Sequence, residues 1–168
     1  MSGDDSQSTV KGLKRHPCLR PLSRDHLIAL MAAQKLMKAG SGQSDRYESV
    51  SYFLFSFEAE ISLHLDDEER VLPAYIKDKA LENRLVEEHE QLRRFLSIIS
   101  NQFTTRAINP EILTEAGMFL DKHVRFEEHE LFLHIEDSNS ASEIKQLLAL
   151  TDKIEAERRR NNKGDRKC

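Results

Sequence analysis

Residues 81–103 read Leu-Glu-Asn-Arg-Leu-Val-Glu-Glu-His-Glu-Gln-Leu-Arg-Arg-Phe-Leu-Ser-Ile-Ile-Ser-Asn-Gln-Phe. Within them Leu81, Leu85, His89, Leu92, Leu96, Ile99 and Phe103 recur at steps of three and four, the spacing that lines one face of an α-helix. That face is apolar except at its middle, where His89 stands. The stretch predicts a long amphipathic helix that carries an imidazole toward a core.

The same periodicity extends outward on both sides. Upstream, a segment from about Asp45 to Pro73 carries Val50, Phe53, Leu54, Phe57, Ile61 and Leu65 at helical spacing, with the proline as its stop. Before it, Ser23 suits the N-cap of a first helix ending at Gly40-Ser41-Gly42. Downstream, Asn109-Pro110-Glu111 places an N-cap ahead of a proline and opens a fourth helix through Ile112, Ala116, Leu120, His123, Glu127 and Leu131 to about Glu136. After the polar break Asp137-Ser138-Asn139-Ser140, a more charged fifth helix carries Ile144, Leu147, Leu148, Thr151 and Ile154. No segment alternates with period two, and short connections make neighbouring helices antiparallel. The expected fold is all-α, an up-down-up-down four-helix bundle with an additional C-terminal helix. It occupies residues 22–157, between a flexible N-terminal segment at 1–21 and a basic tail at 158–168.

Composition bounds the class of protein. The 168 residues suit one domain with a single core, and 29 Asp+Glu against 25 Lys+Arg give a net charge of -4, which argues against a dedicated nucleic-acid binder. Cys18 and Cys168 stand near opposite ends without metal-ribbon or redox spacing, which points to a reducing compartment. No signal peptide or membrane-spanning run is recognisable, so the expectation is a cytoplasmic protein with neither membrane nor nucleic-acid partners.

The seven histidines then become informative. His64 and Glu68 are four apart and share the face of Phe57 and Ile61, while His123 and Glu127 repeat that arrangement on the fourth helix. His26 shares a face with Leu30, Ala33 and Met37, so each of four helices sends an imidazole inward. At about 1.5 Å rise per residue their heights agree to within roughly one turn. One such histidine would ordinarily be a core residue bonded to a carbonyl or carboxylate. Four at one level with two carboxylates, each costing about 1–3 kcal/mol if buried unpaired, point to metal coordination. His129 falls about 240° around the helix from His123 and should face solvent, His134 lies about 10 Å along the axis, and His16 packs at most over the bundle end.

Imidazole and carboxylate donors without thiolate favour iron or manganese over zinc or copper, and six donors exceed what one tetrahedral ion needs, so two ions are expected. The ferritin-like Glu-x-x-His pattern is absent, because Ile61, Val86, Leu120, Phe126 and Leu131 stand three before the histidines on these helices. The metalloprotease His-Glu-x-x-His is absent as well.

The ordered set His26, His64-x3-Glu68, His89, His123-x3-Glu127 resembles the hemerythrin-like or HHE cation-binding family, over roughly Leu22 to Glu136. His16-Pro17 and Pro21-Leu22-Ser23-Arg24-Asp25-His26 look like its bacterial branch. The resemblance implies a non-haem di-iron centre with an oxo or hydroxo bridge, held by Glu68 and an acidic residue of the fourth helix. Glu127 keeps the face of His123 and is preferred as that residue, with Glu128 the fallback. Oxygen carriers of the family place a second histidine four residues after that of the third helix. Here the position is Arg93, which would leave the centre more open and could hold Glu90 or Glu128. The expectation is an open di-iron site that binds or reacts with dioxygen, peroxide or nitric oxide, with peroxide decomposition as one candidate activity. An iron or oxygen store or sensor without turnover is the other reading.

Overall fold

The computed structural model describes residues 14–164. Five helices follow in order: α1 Arg20–Gly40, α2 over 46–71, α3 Lys79–Thr104, α4 over 110–138 and α5 Ala141–Gly164, with a 3₁₀ turn Leu72–Tyr75 after α2. Among the described residues there is no strand. Helix α1 packs on α2 and α4, and α3 packs on the same two, so the four close into a ring; α5 lies across α1 and α2. The all-α bundle with an extra C-terminal helix is therefore the observed architecture.

Local chemistry sets the boundaries. The Asp45 side chain accepts the Glu48 N–H at 2.8 Å, Asp78 accepts that of Ala80 at 2.8 Å, and Asn109 accepts that of Glu111 at 2.9 Å ahead of Pro110. Gly42 has φ +79, the left-handed conformation that glycine adopts readily, just where α1 stops. Ser140 and Glu143 bond reciprocally at 3.3 and 2.8 Å, a capping box that starts α5.

Both chain ends depart from expectation. Helix α1 starts at Arg20, with Pro21 accommodated in its first turn, and Ser23 does not cap it. Its hydroxyl instead donates to Glu128 at 2.6 Å. Within the segment expected to be flexible through residue 21, Arg15, Cys18 and Leu19 are buried against the bundle; residues 1–13 lie outside the described part. At the other end α5 continues through Gly164, and Arg158 is tied to Asp25 and Asp67 rather than left on a solvated tail. Residues 165–168 are likewise outside the described part.

Helices α2 and α4 each contain a widened π-type turn, Phe57–Ile61 and Glu127–Leu131, that the sequence periodicity did not reveal. Such turns insert one residue into an otherwise α-helical path and recur at functional sites. The second opens at Glu127 itself.

The apolar core falls into two clusters. One gathers Ala29, Leu36, Phe53, Phe57, Leu65, Leu92, Ile99 and Leu120, and the other Leu22, Val71, Leu85, Phe126, Leu131, Phe132, Leu147 and Ile154. His26 stands between Leu22 of one cluster and Ala29 of the other, His89 between Leu85 and Leu92, and Glu68 between Leu65 and Val71, while in α4 the change of cluster falls between Val124 and Phe126, inside the His123–Glu127 turn. A buried polar layer thus divides the core.

Helices α1 and α4 approach closely because their shared face is lined by Ala29, Ala32, Ala33, Ala116 and Gly117. A Cβ on Gly117 would lie 2.7 Å from the Ala33 carbonyl oxygen and 2.7 Å from Met37 Cγ. The gain of about 1 kcal/mol in helix propensity is set against about 1–3 kcal/mol of overpacking against backbone that cannot rotate away. Gly117→Ala is therefore expected to lower the thermal midpoint, and a raised midpoint in a calorimetric scan would show that the helices have room to separate.

Candidate metal centre

All six inward residues meet in the polar layer. His26, His64, His89 and His123 are at most 4% exposed, and Glu68 and Glu127 are fully buried. Their donor atoms form two groups, His26, His64, Glu68 and Glu127, and then Glu68, His89, His123 and Glu127, with all chosen atoms of a group within 4.8 Å of one another. Both carboxylates belong to both groups. Glu68 turns Oε1 to His64 Nε2 at 3.3 Å and Oε2 to His89 Nε2 at 3.4 Å. Glu127 turns Oε2 to His26 Nε2 at 3.0 Å and Oε1 to His123 Nε2 at 2.9 Å. The imidazoles pair edge to face, His26 with His64 and His89 with His123, each pair with centroids 4.9 Å apart.

These short separations are not a satisfied hydrogen-bond network. Both Glu68 oxygens, Glu127 Oε2 and His123 Nε2 are buried without an aligned partner. His26 Nε2 and His64 Nε2 face each other at 3.1 Å, nitrogen to nitrogen. Carboxylates and imidazoles converging on shared points without bonding well to one another are the arrangement a cation would complete, and the donor set fits one.

The outer nitrogens explain the inward aim of the inner ones. His26 Nδ1 donates to Glu128 at 2.6 Å, His64 Nδ1 to Asp25 at 3.2 Å, His89 Nδ1 to Glu69 at 2.8 Å and His123 Nδ1 to Glu88 at 2.8 Å. An ionised carboxylate only accepts, so Nδ1 carries the proton and the Nε2 lone pair is left for the centre. The pattern is cyclic. Asp25 of α1 serves α2, Glu69 of α2 serves α3, Glu88 of α3 serves α4, and Glu128 of α4 serves α1. Each of these acids is adjacent in sequence to an inward residue of its own helix, so about 100° of rotation aims it at the neighbouring helix.

Sequence reasoning missed this outer set, although its signal was present in Asp25-His26, Glu68-Glu69, Glu88-His89 and Glu127-Glu128. Glu128 does not enter either group of inner donors. It is held by His26, Ser23 and Arg15, whose contacts outweigh its burial and pull its pKa down to about 2. Arg93 binds neither Glu90 nor Glu128; it reaches α2, with Nη1 2.8 Å from Glu69 and Nη2 2.9 Å from Asp66. His129 is exposed, as its phase requires. His134 accepts the Lys77 N–H at 3.1 Å and His16 Nδ1 accepts that of Cys18 at 3.2 Å, both away from the centre. Burial, helped by Glu136, pushes the Cys18 thiol up to about 11, so it supplies no thiolate at neutral pH.

Electrostatics show the same demand for positive charge. Burial opposes a charge on His26, yet Glu127 and Glu128 overcome it and push the imidazole up to about 10. Glu127 and Glu68 likewise take His89 up to about 10 against its burial, and Glu127 with Glu88 takes His123 up to about 9. Without a cation the carboxylates recruit protons in its place. A raised imidazole pKa stabilises the fold fully below the unfolded value of about 6.5, and that contribution is lost as pH rises through about 9–10. Chelator-treated protein should therefore lose thermal stability across this interval, whereas cation-loaded protein should not; parallel thermal melts from neutral to alkaline pH measure the difference, and identical slopes would remove the linkage.

No curated protein and no solved structure gives a match to the chain. The hemerythrin HHE cation binding domain matches residues 22–132, a span that begins at the buried Leu22 of α1 and encloses all six inner donors. With that match covering most of the chain, the protein belongs to the hemerythrin HHE cation-binding family.

Proposed function

We propose that the chain holds two iron ions, one between His26 and His64 and the other between His89 and His123, with Glu68 and Glu127 shared by both, and that the centre binds or reacts with dioxygen, peroxide or nitric oxide. The observation that carries this reading is the split of each buried carboxylate, one oxygen toward each histidine pair. Two imidazoles with carboxylate oxygens and remaining open positions form a donor set suited to non-haem iron that works on oxygen. When bound, such ions would polarise and orient the oxygen or nitrogen atoms of a small ligand.

The residues of the chain have defined tasks. The four histidines present Nε2, and their Nδ1 protons are fixed outward by carboxylates. Leu65, Leu92 and Leu120 on one side and Leu85, Phe126 and Leu131 on the other exclude bulk water from the layer. Arg93 supplies no donor to the centre, consistent with a set of two imidazoles per ion.

Metal analysis of the purified protein is expected to give close to two irons per chain, with a visible absorption spectrum that changes on addition of peroxide. His64→Ala and His123→Ala are each expected to lose iron. One zinc per chain, without visible bands, would overturn the proposal. Steady-state peroxide consumption by the iron-loaded protein assigns turnover, and reversible ligand binding without consumption assigns storage or sensing.

A further inference from the structure

Behind each outer carboxylate stands an arginine. Arg15 Nη2 lies 2.7 Å from Glu128, Arg93 Nη1 2.8 Å from Glu69 and Arg84 Nε 2.7 Å from Glu88, while Arg158 bonds Asp25. The four are not equivalent. Arg84 and Arg93 both belong to α3, inside the bundle, and serve His123 and His89. Arg15 and Arg158 come from opposite ends of the chain, outside the family match of 22–132, and serve His26 and His64.

Both terminal arginines are built into their places. Arg15 is 5% exposed at its side chain; it also donates to the Glu128 carbonyl oxygen at 2.6 Å and to Glu136 at 3.2 Å, and its guanidinium lies 5.4 Å from the centre of the Phe132 ring on which His26 stacks. Arg158 clamps two helices at once, bonding Asp25 of α1 and, through Nη2 at 2.6 Å, Asp67 of α2. Ile154 and Thr151, one and two turns earlier on α5, are buried and hold the helix in that position.

We propose that Arg15 and Arg158 are positioning residues for one half of the metal centre, the His26 and His64 half, so that the two ends of the chain set the occupancy of one ion position independently of the other. Each arginine fixes a carboxylate, the carboxylate fixes the Nδ1 proton and ring plane of a histidine, and the ring plane aims Nε2. The His89 and His123 half depends on no residue outside the bundle. This inference rests on the two-ion reading above.

Anaerobic titration of the full-length protein with Fe(II) against a competing chelator tests it. Wild type is expected to take two ions, whereas Arg158→Gln and Arg15→Gln keep one at wild-type affinity and hold the other up to about 10-fold more weakly, at the low end of the roughly 10–100-fold loss usual when the group bonded to a metal ligand is itself removed. Arg158→Lys, which keeps the charge but cannot span Asp25 and Asp67 together, recovers part of the loss. In a His26→Ala background Arg158→Gln should change nothing further, and in a His123→Ala background it should weaken the remaining ion. Asp25→Asn gives the same readout if an arginine variant fails to fold, and circular dichroism identifies such a failure. Equal weakening of both ions, or two ions at wild-type affinity in folded Arg158→Gln, overturns the inference while leaving the two-ion centre intact. Failure of wild type to bind a second ion removes the earlier reading and this one with it.

Discussion

Two carboxylates buried without exposure in the middle of an apolar bundle set the terms for everything around them. Ionised Glu68 and Glu127 are costly to take out of water unless positive charge is brought to them. The bundle supplies imidazoles from four directions, and these in turn need partners for their second nitrogen. Each partner is another carboxylate, and each of those draws an arginine. The alternation of charge from the centre outward is the solution of one electrostatic problem repeated over successive shells, and it ends at the surface, where water completes the compensation.

Much of this was legible in the sequence, for a definite reason. Helical periodicity is a signal carried by the buried face, so residues such as His26, His64, His89 and His123, which interrupt an apolar stripe, are conspicuous. Asp25, Glu69, Glu88 and Glu128 are not, because each sits one position off the stripe of its own helix and looks like part of a solvated face. Their role exists only between helices. The same reason hid the partners of Arg93, since Glu69 and Asp66 belong to a different helix and sequence proximity had drawn attention to Glu90. The chain ends were misread in a related way: Arg15 and Arg158 lie in polar stretches whose composition suggests solvent, but each has carboxylates waiting on the bundle.

The cyclic order of the outer acids ties the fold to the site. Because the acid of each helix serves the histidine of the next, no helix can rotate about its axis without disturbing a donor on its neighbour as well as its own. Small residues bring α1 and α4 close enough for Glu128 to reach His26, so the contact that closes the ring also closes the cycle. Correct helix packing and a correctly aimed centre are then the same condition.

The widened turns in α2 and α4 carry a separate consequence. One extra residue in the turn sets every downstream side chain back by about 100° relative to a continuous α-helix. In α4 Leu113, Ala116, Leu120 and Val124 pack into the first apolar cluster, while Phe126 and, past the start of the widened turn, Leu131, Phe132 and Ile135 pack into the second. The helix is in effect two helices in series with Glu127 at their joint, so the apolar stripes on its two sides need not share one phase.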